Sequence, residues 1–221
     1  MSDQLGPGPR TRVRRLPEKA RYDARSVYEI LDEAPLCYVA GVLDGRAVCL
    51  PHLCAREGRR LYLHGSQSNA LLAALVEVGE AWISASTFDG LRLARSGFES
   101  SIAYRSVAVS GRVEEIVDET EKERVLDVLV DAVLPGRAGE LRRPSARELR
   151  LTRVIAVNID EASAKVSEGP TDDDEADQAL AIWSGVVPAR LVFDEPVASH
   201  DGAMAAGGVE VPASVRRLLG R

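Results

Sequence analysis

No stretch of this 221-residue chain approaches about eighteen uninterrupted apolar residues, so nothing in it reads as a membrane-spanning helix. Basic residues are not in excess. There are 28 Lys and Arg against 34 Asp and Glu, a net charge of -6. With no surplus to neutralise phosphates, a nucleic-acid binder is not expected. Cysteine is scarce: Cys37, Cys49 and Cys54 match no metal spacing such as C-x-x-C. Residues 1–15 carry no apolar core of a secretory signal. Together these set the expectation of reduced thiols in the cytoplasm. Only His52 and His64 fall in the strand-rich region, too few for a closed zinc site, which wants three or four convergent ligands. Ser66 has His64 nearby but no evident carboxylate to orient it, so a hydrolase triad is weak. No internal repeat is found.

What is present is organised around residues 103–134. Ala103–Val117 is rich in β-branched residues and reads as one long strand, interrupted by Gly111, a bulge or a barrel corner. Asp118 and Glu121 then have the spacing of a helix start. Val125, Leu126, Leu129, Val133 and Leu134 recur at helical spacing until Pro135-Gly136 ends the run. Upstream, Asp23 caps a short helix carrying Val27, Ile30 and Leu31. Strands Leu36–Leu43 and Arg46–Cys54 flank the turn Asp44-Gly45, and Arg60–His64 alternates in character. A second hairpin is expected across Asp89-Gly90, and Leu151–Ile159 is a last clear strand. The division predicted is a mobile arm over 1–20, one mainly β domain over 21–165, and an extension over 166–221. The extension opens on an acidic, solvated run, Asp172 to Asp177, and contains an apolar island, Ala179–Val187.

Two places could hold an anion. In HGSQSN, residues 64–69, a strand ends and a helix begins, and helix N-termini offer free amides to phosphate. Ser66, Ser68 and Asn69 can donate there; the plainer reading is that a serine only caps the helix. On the long strand, Arg105 either grips a phosphate bidentately or makes a cross-strand ion pair.

LYLHGS (61–66), FDGLRLARSGF (88–98), YRSVAVSGRVEEIVDETEK (104–122), DEASAKVSEGP (160–170) and WSGVVP (183–188) occur in that order. The pattern resembles the pyridoxamine 5'-phosphate oxidase-like flavin-binding split barrels, in their nitroimidazole-reductase-like branch, from about Arg12 to Trp183. The resemblance implies a six-stranded antiparallel split barrel with flanking helices that forms a homodimer. Flavin mononucleotide (FMN) would lie in a cleft between the subunits. It places Val48, Cys49, Leu50, Pro51 and His52 beside the isoalloxazine ring. His64, Gly65, Ser66 and Asn69 would line the phosphate end, with Arg105 and Ser106 from the long strand and Trp183 near the cleft. The activity implied is an oxidoreductase passing electrons or hydride between a nicotinamide donor and a small organic substrate. Relatives commonly carry a basic residue where this chain has Ala70, and His and Asn where it has Ser100 and Ala103. Some such barrels bind haem through a histidine, so haem ligated by His52 or His64, with His52 preferred, is the alternative. A non-catalytic protein that binds flavin or a small ligand is the third reading.

Overall fold

Local signals start most elements where the sequence puts them. After a two-residue strand β1 (Ala20–Arg21), the Asp23 carboxylate accepts a hydrogen bond from Ser26 N and caps helix α1 (Ala24–Glu33). Such a cap contributes about 1 kcal/mol. Val27, Ile30 and Leu31 are buried on one face of α1. The computed structural model describes residues 4–199 and 208–220, so the first three residues of the expected arm and residues 200–207 and 221 of the extension lie outside the described residues. Asp44 and Gly45, both at positive φ, turn β2 (Cys37–Leu43) into β3 (Arg46–His52). A second hairpin joins β4 (Ala55–Glu57) to β5 (Arg60–Ser66), and α2 (Ala70–Val78) follows. Two long strands come next, β6 (Glu80–Leu93) and β7 (Ser101–Glu115). The Asp118 carboxylate accepts from Glu121 N and begins α3 (Glu119–Val133). The chain continues with α4 (Ala146–Leu151), β8 (Thr152–Asn158), β9 (Glu161–Ser167), β10 (Gly185–Pro188) and α5 (Ala213–Leu219).

Every strand pairing is antiparallel. The order is β3-β2-β6-β7-β8-β5-β4, with β9 beside β7 and β10 beside β6, and the sheet stays open as a split barrel does. The expected antiparallel split barrel with flanking helices is the architecture found.

Strand β7 changes partner along its length. Tyr104–Ser110 pair with β9, and Val113–Glu115 pair with β8. Gly111 is the corner between them. A Cβ there would lie 1.5 Å from the Asn158 carbonyl oxygen, so only glycine lets the β8–β9 connection cross this close.

Two apolar clusters result. The larger fills the barrel between the sheet, α1 and α2, with Val39, Leu61, Leu63, Leu72, Ile83, Val109, Ile155 and Val157 fully excluded from water. The smaller lies under α3 and contains Ala55, Tyr62, Val125, Leu129, Val154 and Ala156.

Three expectations are corrected. Asp89-Gly90 is not a hairpin turn. It is a bulge within β6, at which the pairing with β7 skips Asp89. A Cβ on Gly90 would sit 2.4 Å from the Val187 carbonyl, so glycine is needed for the approach of β10. The described part of the arm is anchored at Leu5 and Thr11, although most of its residues are exposed. Leu5 is buried in the barrel core, its N–H donates to the Tyr22 carbonyl, and its own carbonyl accepts from Ala162 N. The acidic run is not wholly solvated either. The Asp173 carboxylate accepts from Arg95 N at 2.5 Å and from Arg95 Nη1 at 2.6 Å, and its side chain is almost fully covered.

Candidate functional site

The turn between β5 and α2 is built by its own polar groups. The Asn69 side chain accepts from Leu72 N at 3.0 Å, so the helix cap is an asparagine and not a serine. Asn69 N donates to the Ser66 carbonyl at 2.9 Å. The hydroxyls of Ser66 and Ser68 hydrogen-bond at 2.9 Å and are exposed. A basic residue that the sequence reading missed lies here. Arg153 on β8 stands directly opposite Gly65. Its Nε donates to Glu115 at 3.0 Å, and Nη1 reaches the Asn69 carbonyl at 3.5 Å. The alternation of residues 151–159 marks Arg153 as a strand residue. Only the β5–β8 pairing brings it to the turn.

Arg105 is elsewhere and already engaged. Its guanidinium donates twice to Asp89, both at 2.9 Å, and twice to Glu33, both at 2.7 Å. These bonds hold the carboxyls of Glu33 and Asp89 below their ordinary ranges. The ion-pair reading of Arg105 therefore fits, with its donors spent on two carboxylates. Arg105 pairs with Thr87, whereas Glu115, which holds Arg153, lies ten residues further along β7. At 3.3 Å per residue that is about 33 Å of strand. Within one protomer, then, Arg105 and the turn do not converge. Ser106, one residue on, points to the opposite side of the sheet and pairs with Ser86 and Lys165.

Strand β3 pairs only with β2 among the described residues, leaving its other edge free. On it Cys49, Leu50 and Pro51 are exposed and Val48 and His52 half-buried. Trp183 is exposed, with its ring over Gly185 at the start of β10. β10 pairs with β6 at Gly90–Leu93, so Trp183 lies toward the Arg105 end of the sheet.

The histidines sit where β3 gives way to β4. His52 ends β3 opposite Cys37, and Cys54 is engaged by the Cys37 thiol. That contact, together with burial, pushes the Cys37 thiol up. His64, on the face of β5 toward α3, lines an open cavity of about 430 Å3. The other walls are Leu53, Leu126, Leu129, Val130, Val133 and Leu134, with Arg137 at its polar end. His64 Nδ1 is buried and has no hydrogen-bond partner. Burial lowers the pKa of both imidazoles, and His64 adds to the lowering at His52. The residue next to His52, Leu53, is thus a wall of the His64 cavity, so the exposed strand and the cavity adjoin.

An apolar cavity in the size range of a cofactor site, with one neutral imidazole in its wall, can present a nitrogen lone pair to a metal-centred ligand. His52 is the histidine preferred from the sequence as a haem ligand; the one in the wall of this cavity is His64. His64 lines the apolar cavity, while His52 ends an open edge strand. Among the described residues no group of three or more His, Cys, Asp or Glu side chains converges to hold a bare metal ion. None of the helices there is long and apolar enough to cross a membrane.

The chain is similar to the flavocytochrome Anf3 from Azotobacter vinelandii, at 37% identity and a TM-score of 0.88, covering 95% of this chain and 96% of that one. It is also similar to the FAD and heme binding protein from Mycobacterium smegmatis, at 39% identity and a TM-score of 0.84, covering 90% of this chain and 97% of that one. A protein described as a 5-nitroimidazole antibiotic resistance protein from Bacteroides thetaiotaomicron shares the fold, at 24% identity and a TM-score of 0.57, over 66% of this chain and 86% of its own. No curated protein matches. The family model for pyridoxamine 5'-phosphate oxidase matches residues 23–166, from the Asp23 cap through the end of β9. With most of the barrel inside that match, the chain belongs to the pyridoxamine 5'-phosphate oxidase family.

Proposed function

We propose that this protein is an oxidoreductase that binds both a flavin and a haem. The observation that carries this is the cavity under α3, with its apolar walls and the unsatisfied His64 imidazole. The likeness to a flavocytochrome and to a FAD and heme binding protein supports it. When bound, a flavin would supply hydride or electron chemistry and a haem one-electron chemistry. The chain's own part is to hold and insulate them. The desolvated His64 stays neutral, the form that can ligate iron. The α3 side chains Leu126, Leu129, Val130 and Val133 give the cavity an apolar wall.

The flavin belongs on the other side of Leu53, along Val48–His52, with its phosphate end at Ser66, Asn69 and Arg153. Arg153 then provides the cation that Ala70 does not. FMN is what the sequence motifs suggest; the Mycobacterium smegmatis protein is named for FAD, which favours the larger flavin.

A second copy of the chain completes the cleft. Tyr38, Val42 and Phe88 share the outer face of β2 and β6 and are exposed, an apolar area that a symmetric partner would cover. A small organic acceptor and a nicotinamide donor fit the same reading.

The test is to purify the protein, record its absorbance with and without added haem, and identify the flavin released on denaturation. A Soret band that His64→Ala abolishes and His52→Ala preserves is the expected result, together with a stoichiometric flavin. A protein that takes up flavin and shows no Soret shift would leave a flavoprotein only.

A further inference from the structure

Beneath α3 the cavity has one charged group in its wall, Arg137. Its Nη1 donates to Glu140 Oε2 at 3.2 Å. That bond uses one of five guanidinium N–H donors, and the rest of the side chain stands at the cavity mouth, about one-third exposed. Glu140 is held in turn by the far end of the chain. Ser214 N donates to Glu140 Oε1 at 3.0 Å, and Ser214 Oγ donates to Oε2 at 2.5 Å. Ser214 is 1% exposed, so this is a seated contact and not a loose surface pair. These bonds lower the Glu140 pKa and keep it an acceptor. Three residues on, Arg217 Nη2 donates to the Pro135 carbonyl at 3.1 Å. Helix α5 therefore grips both ends of the segment 135–140 that carries Arg137.

We infer that Arg137 is the anion-recognising residue of the His64 cavity, taking a carboxylate of the bound haem, and that α5 acts as a clasp that positions it through Ser214 and Glu140. This rests on the haem reading above. The chemistry is complementary. A haem is a flat apolar body with an iron at its centre and two carboxylates on one edge. The cavity offers an apolar wall, an imidazole within it and a guanidinium at one end. Charge-assisted hydrogen bonds of this kind are the strong ones, and Arg meets carboxylates bidentately. A clasp that fixes the guanidinium beforehand removes the ordering cost from binding. Arg137 is the contact residue, and Ser214 is a positioning residue.

Titration of the full chain with haem, followed by Soret absorbance, tests this alongside haem whose two carboxylates are methyl esters. Wild-type protein should bind the ester about tenfold or more weakly than haem, the loss expected for one charge-assisted bond. Arg137→Ala should weaken haem by a similar factor and leave ester binding unchanged. Ser214→Ala should weaken haem a few-fold in the wild-type background, and not at all when Arg137 is already alanine. Equal affinity of wild-type protein for haem and ester overturns the inference without any variant having to fold. So does an Arg137→Ala protein that binds haem like wild type. In both cases a Soret shift that depends on His64 leaves the haem reading standing. A Ser214→Ala effect that persists in the Arg137→Ala background, or that extends to the ester, overturns the clasp. If wild-type protein shows no Soret shift with haem, the haem reading and this inference fall together.

Discussion

Strand β5 divides two apolar regions that share a backbone and differ in everything else. Its Leu61 and Leu63 point into the barrel, where α1, α2 and the curled sheet leave them no access to water. Its Tyr62 and His64 point the other way, under α3. There Tyr62 is buried, but two residues on the packing fails and a cavity opens beside His64. The barrel is covered on several sides by elements close in sequence. The α3 side is covered by a single helix, which spans β4, β5 and β8 and stops at Val133. One region is filled and holds the fold. The other is left incomplete, and an unfilled apolar space with an unpaired polar group is what a ligand site needs.

The largest effect expected concerns the joint between them. Gly111→Ala forces a Cβ onto the Asn158 carbonyl where β7 passes from one region to the other. The variant should lose roughly 4 kcal/mol or fail to fold, as urea unfolding or poor soluble yield would show. A wild-type unfolding curve would mean that the corner is not rigid.

Next is the contrast between the regions themselves. Ile83→Ala in the filled barrel should cost about 3–4 kcal/mol, because a cavity is created. Leu126→Ala, whose side chain already borders open space, should cost about 1 kcal/mol. Equal losses of stability in denaturant would erase the distinction drawn here.

Arg105→Ala comes third. Its four hydrogen bonds to Glu33 and Asp89 are partly exposed, so screening limits the loss to about 1–2 kcal/mol. Flavin content should not change. The effect has a pH signature. Both carboxyls titrate lower in the folded protein than their ordinary values of 4.5 and 3.8. Their contribution is therefore complete above about pH 5 and lost as pH falls through the folded values. The acid limb of the stability profile should be shallower in Arg105→Ala. Loss of flavin at unchanged stability would return Arg105 to the binding site.

The smallest effect has the opposite sign. In cofactor-free protein His64 carries a buried, unpartnered Nδ1. His64→Leu should raise stability by about 1 kcal/mol, the lower part of the cost of an unmet polar group. The gain should grow as pH falls below about 6.5, because the buried imidazole resists protonation while the unfolded one does not. Thermal melts of the two proteins at pH 7 and pH 5.5 would show it. A His64→Leu protein less stable than wild type at both values would mean that the imidazole is satisfied in solution.

Much of the fold was legible locally. Asp23, Asp44-Gly45, Asp118 and the helical spacing of Val125 and Leu129 each act within a few residues, through a cap, a turn or one face of a helix, and each acts where the sequence puts it. Gly111 could be read as an interruption. That it is the corner where β7 changes partner depends on Asn158, forty-seven positions away. The Asp89-Gly90 dipeptide misled because turn chemistry alone does not distinguish a hairpin from a bulge. The arrival of β10 against Gly90 decided it. The site was legible only as residue types. The turn at 64–69 could be suspected of binding an anion, and Arg105 of either gripping one or pairing with acids. Arg105 pairs with the carboxylates of Glu33 and Asp89, which reach it from a helix and from a bulge in another strand. Arg153 drew no notice, since nothing near it in the chain suggests the turn it serves.

By itself, the sequence determined the family, the strand-rich barrel with its flanking helices, and the two histidines as the scarce groups worth watching. Those features follow from short-range propensity and from motifs in a fixed order. Only the tertiary structure decided which histidine faces an apolar cavity, which arginine stands at its mouth and which is spent on two carboxylates. Such choices depend on distant elements meeting. A side chain's burial, its partners and its charge state are set by whatever the fold brings against it.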